Sequence, residues 1–135
     1  TLLEETPRID EIFQKTRVLL APSMCQEAFG LVSPEALLRG IPVVASDIAG
    51  LKESTLGVAH LIPVQPLPFN GPKEGTDHTK FEWVEPDNPV EPWSQALDEI
   101  LASREVYGAR AKKGREAALA FVTGLGKRNV PALFS

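Results

Sequence analysis

Two short apolar segments constrain the fold of this chain most. Residues 17–21 contain Val18, Leu19 and Leu20 in an unbroken run, and residues 42–45 repeat that character with Val43 and Val44. A continuously apolar run of this length is typical of a strand in a parallel sheet, where both faces are buried. Parallel neighbours need a crossover connection, which is usually a helix. The two segments therefore predict a right-handed βαβ unit.

The sequence between these segments carries the signals of that helix. Ser33, Pro34 and Glu35 predict an N-cap, a proline at the first helical position and an acid in the first turn. Gly40 predicts the end of the helix. Upstream, the spacing of apolar residues around Phe13 predicts a further short helix.

The remaining sequence predicts an α/β chain with a partial Rossmann-like parallel sheet and flanking helices, in a single domain of residues 1–135. Residues 46–53 predict a polar loop, and residues 59–63 a third, weaker strand. Residues 63–92 are rich in proline and lack periodicity, which predicts a long surface loop or lid. Apolar spacing then predicts one amphipathic helix from Trp93 and another over residues 105–122, followed by an unassigned tail.

Composition excludes several classes of function. The chain has 135 residues, 43% of them hydrophobic, which suits one domain with a packed core. A net charge of −4 provides no basic surface for nucleic acid or for contact with an acidic membrane. No apolar run approaches the roughly 20 residues of a membrane span. The single cysteine, Cys25, and the absence of a visible signal peptide predict a cytoplasmic protein.

The predicted loops also locate a candidate ligand site. Ligands of doubly wound sheets bind beyond the carboxyl ends of the strands, and residues 22–30 and 46–53 both follow such ends. This topology directs Glu27, Gly30, Leu31, Glu35 and Asp47 toward one crevice. Backbone amides and a helix dipole attract phosphate, and carboxylates accept hydrogen bonds from sugar hydroxyls, so a phosphorylated sugar would suit the crevice. The alternative is that Glu35 only complements the helix dipole and Glu27 is only solvated.

A longer series of motifs carries a resemblance to a known family. The series consists of Leu20-Ala21-Pro22-Ser23, Glu27-Ala28-Phe29-Gly30-Leu31, Glu35-Ala36, Gly40-Ile41-Pro42-Val43-Val44 and Ser46-Asp47-Ile48-Ala49-Gly50-Leu51-Lys52-Glu53. It resembles the donor-sugar site of retaining glycosyltransferases with the GT-B fold, especially glycosyltransferase family 4. The resemblance is tight over residues 18–53 and looser over residues 93–122.

The resemblance implies specific roles. Glu35 would bind the ribose hydroxyls of a nucleotide sugar (a UDP-, GDP- or ADP-sugar), and Glu27 would act at the transferred sugar as the catalytic acid residue of the site. The diphosphate and sugar would face the backbone amides of Phe29, Gly30, Leu31 and Val32, with the Ser33 hydroxyl nearby. Such enzymes use no metal or other cofactor, because amides, the helix dipole and basic side chains offset the charge of the leaving group.

The chain also departs from the family pattern. Ala28 replaces a proline, and Ala49 replaces the first of two glycines. The family also binds the donor phosphates with an Arg and a Lys from an earlier strand-loop region, which the residues before Val18 do not supply. The N-terminal acceptor lobe is missing as well. The resemblance therefore implies the donor-binding portion of a larger two-lobe enzyme, inactive by itself. Two alternatives stay open: a non-catalytic nucleotide-sugar-binding or interaction module, and another GT-B enzyme such as a sugar-nucleotide epimerase.

Overall fold

A parallel sheet of three short strands forms the centre of the fold. The computed structural model describes residues 8–25, 28–67 and 86–127. The strands are β1 (Leu19–Ala21), β2 (Val43–Ser46) and β3 (His60–Ile62), and they lie in the order β1-β2-β3. Both neighbouring pairs are parallel, which confirms the predicted α/β class with a partial Rossmann-like sheet.

Helices flank this sheet on both faces. In the described part of the chain they are α1 (Ile9–Phe13), α2 (Val32–Leu38), α3 (Ala49–Ser54), α4 (Glu91–Leu101) and α5 (Arg104–Lys127). The helices predicted around Phe13, after Pro34, from Trp93 and after Glu105 are confirmed. The last of these is longer than predicted, because α5 continues through Gly124 into the segment that the sequence left unassigned.

Successive side chains of β2 point to opposite faces of the sheet, so the hydrophobic core has two parts. Val43 and Ala45 pack into a cluster with α2, α3 and Ala118 of α5. Val44 points to the opposite face, where it packs with Ile62 and with α4. All four residues of β2 are buried, as expected for the central strand of a sheet covered on both sides.

A cluster around Arg39 holds α1 against the end of α2. The guanidinium of Arg39 pairs with the Asp10 carboxylate and donates a 2.8 Å hydrogen bond to the carbonyl of Glu35. It also lies 4.6 Å from the centre of the Phe13 ring. The Tyr107 hydroxyl donates a 2.8 Å hydrogen bond to the carbonyl of Arg17, which joins α5 to the segment before β1.

Three local predictions need correction. Residues 46–53 are not a loop: α3 begins at Ala49, because Leu51 is buried in the core and draws this short turn of helix onto the sheet. Ser33 is not the N-cap of α2, because the chain already turns at Gly30 and the helix begins at Val32. Helix α4 begins at Glu91, within the stretch predicted as a loop.

The other residues of the predicted loop are only partly described. Residues 63–67 and 86–89 contain neither helix nor strand, and residues 68–85 lie outside the described residues. A search for membrane spans in the part of the chain that is described finds no helix with the length and apolar character to cross a bilayer.

Candidate functional site

The candidate site lies where the chain leaves the carboxyl ends of the strands. Because β1, β2 and β3 are parallel, the segments that begin at Pro22, Asp47 and Pro63 all start at the same edge of the sheet. We call this edge the carboxyl edge. It is the position at which open α/β sheets bind their ligands.

Gly30 makes the turn between the loop after β1 and helix α2. Its φ of 71° lies in the left-handed region, where a side chain would be strained. The carbonyl of Gly30 accepts a 3.2 Å hydrogen bond from the amide of Ser33, and the carbonyl of Leu31 accepts one of 3.2 Å from Glu35. The turn therefore leads directly into the first turn of α2.

The amides next to this turn are available for a ligand. The N–H groups of Phe29, Gly30, Leu31 and Val32 donate no hydrogen bond to another described residue. The amides of Ser33 and Glu35 are used within the turn, and Pro34 has no N–H group. These four residues are the amide donors that the resemblance implied. Their N–H groups have no acceptor among the described residues.

Helix α5 supports the loop from one side. The ring of Phe29 stacks on the ring of Phe121, with centroids 5.9 Å apart and an angle of 20° between the planes. Such an offset pair contributes about 0.5–1.5 kcal/mol beyond the apolar area that it buries. The side chain of Phe29 thus packs on α5, whereas its backbone lies at the carboxyl edge. Periodicity along α5 could not have identified Phe121 as its partner.

The two polar side chains of the first turn of α2 have opposite surroundings. Glu35 is exposed, and its carboxylate makes no hydrogen bond or ion pair with the described residues, so it can accept hydrogen bonds from a ligand. Ser33 is completely buried, and its hydroxyl has no hydrogen-bond partner within the described ranges. Of the two, Glu35 is therefore the one in position to meet a ligand from solvent.

Asp47 reaches the carboxyl edge at the end of β2. Its amide donates a 2.8 Å hydrogen bond to the carbonyl of Ile62, which extends the pairing of β2 with β3. Its carboxylate Oδ1 lies 3.0 Å from Nζ of Lys52 on α3. Because 64% of the Lys52 side chain is exposed, solvent screens this pair to about 0–1 kcal/mol. A cation is therefore present at the carboxyl edge.

A second contact orders the loop after β1 near its start. The carbonyl of Met24 accepts a 2.9 Å hydrogen bond from the amide of Leu67, and Asn88 Nδ2 lies 3.1 Å from the Met24 sulfur. Asn88 also exchanges two hydrogen bonds with the backbone of Gln65. Sequence reasoning missed Asn88, because a turn-forming residue after a proline carries no signal of a partner 23 positions away.

One predicted residue cannot be located at the carboxyl edge. Glu27, the predicted catalytic residue, lies outside the described residues. Within the described ranges, no group of three or more His, Cys, Asp or Glu side chains could hold a metal ion. Cys25 is a free, exposed thiol.

Two surface grooves lie at the opposite edge of the sheet, next to the residues that precede β2. One, of about 490 Å³, is lined partly by Asp10, Arg39 and Tyr107. The other, of about 460 Å³, lies between Gly40 and Ala111 of α5. Ligands of parallel α/β sheets bind at the carboxyl ends of strands, so neither groove is the candidate site.

Comparisons with known proteins show two similarities to glycosyltransferases. Residues 1–66, which include β1, α2, β2, α3 and β3, match the family described as glycosyl transferases group 1. The chain is also 27% identical over 117 residues to the alpha-1,3/1,6-mannosyltransferase alg-2 of Neurospora crassa. That alignment covers 85% of this chain but 20% of the relative, so the chain spans about a fifth of the length of the curated relative. No solved structure matches the chain significantly. The first half of the chain is thus similar to glycosyl transferases group 1, and most of the chain is similar to part of a mannosyltransferase.

Proposed function

We propose that this chain is the donor-binding portion of a glycosyltransferase that moves a sugar from a nucleotide sugar to an acceptor with retention at the anomeric carbon. One observation carries the proposal: at the left-handed turn of Gly30, the four consecutive amides of residues 29–32 have no acceptor among the described residues. This turn lies within the segment that matches the glycosyltransferase family.

The proposed donor contacts follow from charge and position. A diphosphate and its attached sugar would accept hydrogen bonds from the amides of Phe29, Gly30, Leu31 and Val32, at the positive end of α2. The exposed carboxylate of Glu35 would bind ribose hydroxyls. Lys52, held by Asp47 at the same edge, offers a cation toward the leaving group. Ser33 has the weakest support in this set because its hydroxyl is buried.

The catalytic contribution of this portion is assigned to Glu27, close to the transferred sugar. We propose that transfer needs no metal, because amides and the helix dipole would stabilise the diphosphate as it leaves. The acceptor would be positioned by a second lobe outside residues 1–135. The mannosyltransferase relative is consistent with this arrangement, since the chain aligns with only 20% of it. The compartment that we propose is the cytoplasm, where a reducing environment keeps a thiol such as Cys25 free.

The role of Glu35 is tested by Glu35→Gln in the complete protein. The change removes the charge but keeps the shape, and charge-assisted hydrogen bonds are worth roughly 1.5–3 kcal/mol, so the donor Michaelis constant is expected to rise about tenfold or more. Glu105→Gln is the matched control, because Glu105 is also an acid in the first turn of a helix but lies in α5. If Glu35 only complemented the helix dipole, the two variants would have equal, small effects on stability and none on donor binding.

A second variant separates sugar from nucleotide recognition. Glu27→Ala is expected to reduce transfer strongly and to leave the affinity for the free nucleoside diphosphate nearly unchanged. A collapse of diphosphate affinity in a folded Glu27→Ala variant would reverse the assignment of the two acids. Retention is tested directly by the anomeric configuration of the first product formed, measured by NMR.

A further inference from the structure

Asn88 lies at the junction of three segments that are distant in sequence. Its side chain contacts Gln65, which follows β3, and Met24, which lies in the loop after β1. Asn88 itself shortly precedes α4. These three segments meet at the carboxyl edge, and among the contacts described there, Asn88 is the side chain that reaches both of the other two.

The amide group of Asn88 pairs with Gln65 as a peptide group would. Oδ1 accepts a 2.7 Å hydrogen bond from the amide of Gln65, and Nδ2 donates a 3.0 Å hydrogen bond to the carbonyl of the same residue. Because a backbone N–H can only donate and a carbonyl can only accept, this pair fixes the orientation of the Asn88 amide. The second hydrogen atom of Nδ2 is then directed to the sulfur of Met24, 3.1 Å away.

The contact with Met24 is reinforced by the backbone. The Met24 carbonyl accepts a 2.9 Å hydrogen bond from the amide of Leu67, two residues after Gln65. Met24 is therefore held through its side chain by Asn88 and through its backbone by Leu67, in the segment with which Asn88 exchanges two hydrogen bonds. In the sequence, Met24 lies five residues before Phe29, the first of the proposed donor amides.

We propose that Asn88 is a positioning residue, which orders the loop after β1 and so presents the donor amides in their binding geometry. The proposal rests on the proposed function for what the loop binds. It needs an asparagine in particular. Aspartate could accept from Gln65 but could donate neither to its carbonyl nor to Met24, and alanine could do neither.

The test compares Asn88→Ala with Asn88→Asp and Asp87→Ala in the complete protein. Asp87 is the exposed neighbour of Asn88, and its side chain makes no hydrogen bond or ion pair with the described residues, so Asp87→Ala is the matched control. The first readout is the order of the loop itself. It is measured as the amide exchange rate of Leu67 by NMR and as the oxidation rate of Met24 by peptide mass spectrometry with dilute peroxide.

The amide of Leu67 donates to Met24 and not to Asn88, so its exchange reports on the loop and not on the substituted side chain. We expect both rates to rise about fivefold in Asn88→Ala, which corresponds to about 1 kcal/mol. A smaller rise is expected in Asn88→Asp, because the hydrogen bond from the Gln65 amide is retained, and no rise is expected in Asp87→Ala. Unchanged rates in Asn88→Ala, with or without a lower melting temperature, would overturn the proposal.

The second readout is donor recognition. We expect the donor Michaelis constant to rise about fivefold in Asn88→Ala, the change that corresponds to about 1 kcal/mol, with partial recovery in Asn88→Asp and less effect on kcat. A disordered loop with an unchanged Michaelis constant would also overturn the positioning role. Failure of the wild-type protein to bind any nucleotide sugar would count against the proposed function instead, and the Leu67 and Met24 rates would still decide whether Asn88 orders the loop.

Discussion

Gly114→Ala is expected to destabilise this chain, although the same change at Gly108 stabilises it. Both glycines lie inside helix α5. A Cβ added at Gly114 would lie 2.8 Å from Cδ2 of Leu37 on α2, whereas a Cβ added at Gly108 would have no atom within 4 Å. Leu37 is 1% exposed and belongs to the core, so moving its side chain away from the new Cβ would disturb its packing with neighbouring core residues.

The magnitude follows from two opposing terms. Alanine is favoured over glycine in a helix interior by about 1 kcal/mol, and this gain applies equally to both positions. Overpacking in a core costs about 1–3 kcal/mol, and this cost applies only at Gly114. The propensity term cancels when the two variants are compared. The free energy of unfolding of Gly108→Ala is therefore expected to exceed that of Gly114→Ala by about 1–3 kcal/mol.

Urea unfolding followed by far-UV circular dichroism measures this difference, provided that both variants give the same dependence on denaturant. Repeating both substitutions in a Leu37→Val background tests the cause, because valine has no Cδ atom. The penalty at Gly114 should then shrink, giving a coupling energy of about 1–3 kcal/mol. Equal stabilities of the two single variants would refute the reasoning that the α2–α5 contact is too close for a side chain.

Three further predictions concern the site. Gly30→Ala is expected to raise the donor Michaelis constant and to cost about 1–2 kcal/mol of stability through backbone strain. Gly57→Ala is the control, because Gly57 has the same φ of 71° at the opposite edge of the sheet, and it is expected to lower stability alone. Thermal unfolding measures the stability of both variants, and donor titrations measure binding. Phe121→Leu is expected to remove the ring contact with Phe29 and to weaken nucleotide binding measured by calorimetry, whereas Leu119→Ala, at an exposed position of α5, leaves it unchanged. The 135-residue chain by itself is expected to bind UDP, GDP or ADP only weakly, on the order of millimolar or near −4 kcal/mol, and to transfer no sugar; turnover by this chain would require an acceptor site within it.

The sheet and the longer helices could be predicted because their signals are local. The unbroken apolar runs around Leu19 and Val43 identify strands β1 and β2, although only β2 is buried on both faces, because β1 is an edge strand whose Leu20 is 43% exposed. The spacing from Trp93 to Ile100 identifies the face of α4 that packs on the sheet. Each of these patterns lies within a single element. The sequence therefore specified the order of elements and their parallel arrangement with few errors.

The errors occur where tertiary contacts decide the local structure. Helix α3 is six residues long, too short for a periodic pattern, and the burial of Leu51 stabilises it. The first residues of α2 depend on the backbone of Gly30, whose left-handed conformation moves the helix start ahead of the apparent cap at Ser33. A capping motif indicates where a helix can begin, and a glycine turn before it can change that position.

The candidate site also has a part that the sequence could predict and a part that depends on tertiary contacts. The residues proposed to contact the donor belong to one short motif, and they lie within the segment that matches the family. The residues that hold this motif in place do not: Asn88 and Phe121 both lie beyond residue 66, and each reaches back more than 60 positions to its partner. Such pairs leave no periodic or motif signal in a single sequence. Donor recognition in this chain should therefore respond to substitutions in two regions, one that touches the ligand and one that only orders the loop, and the second can be identified only from the folded structure.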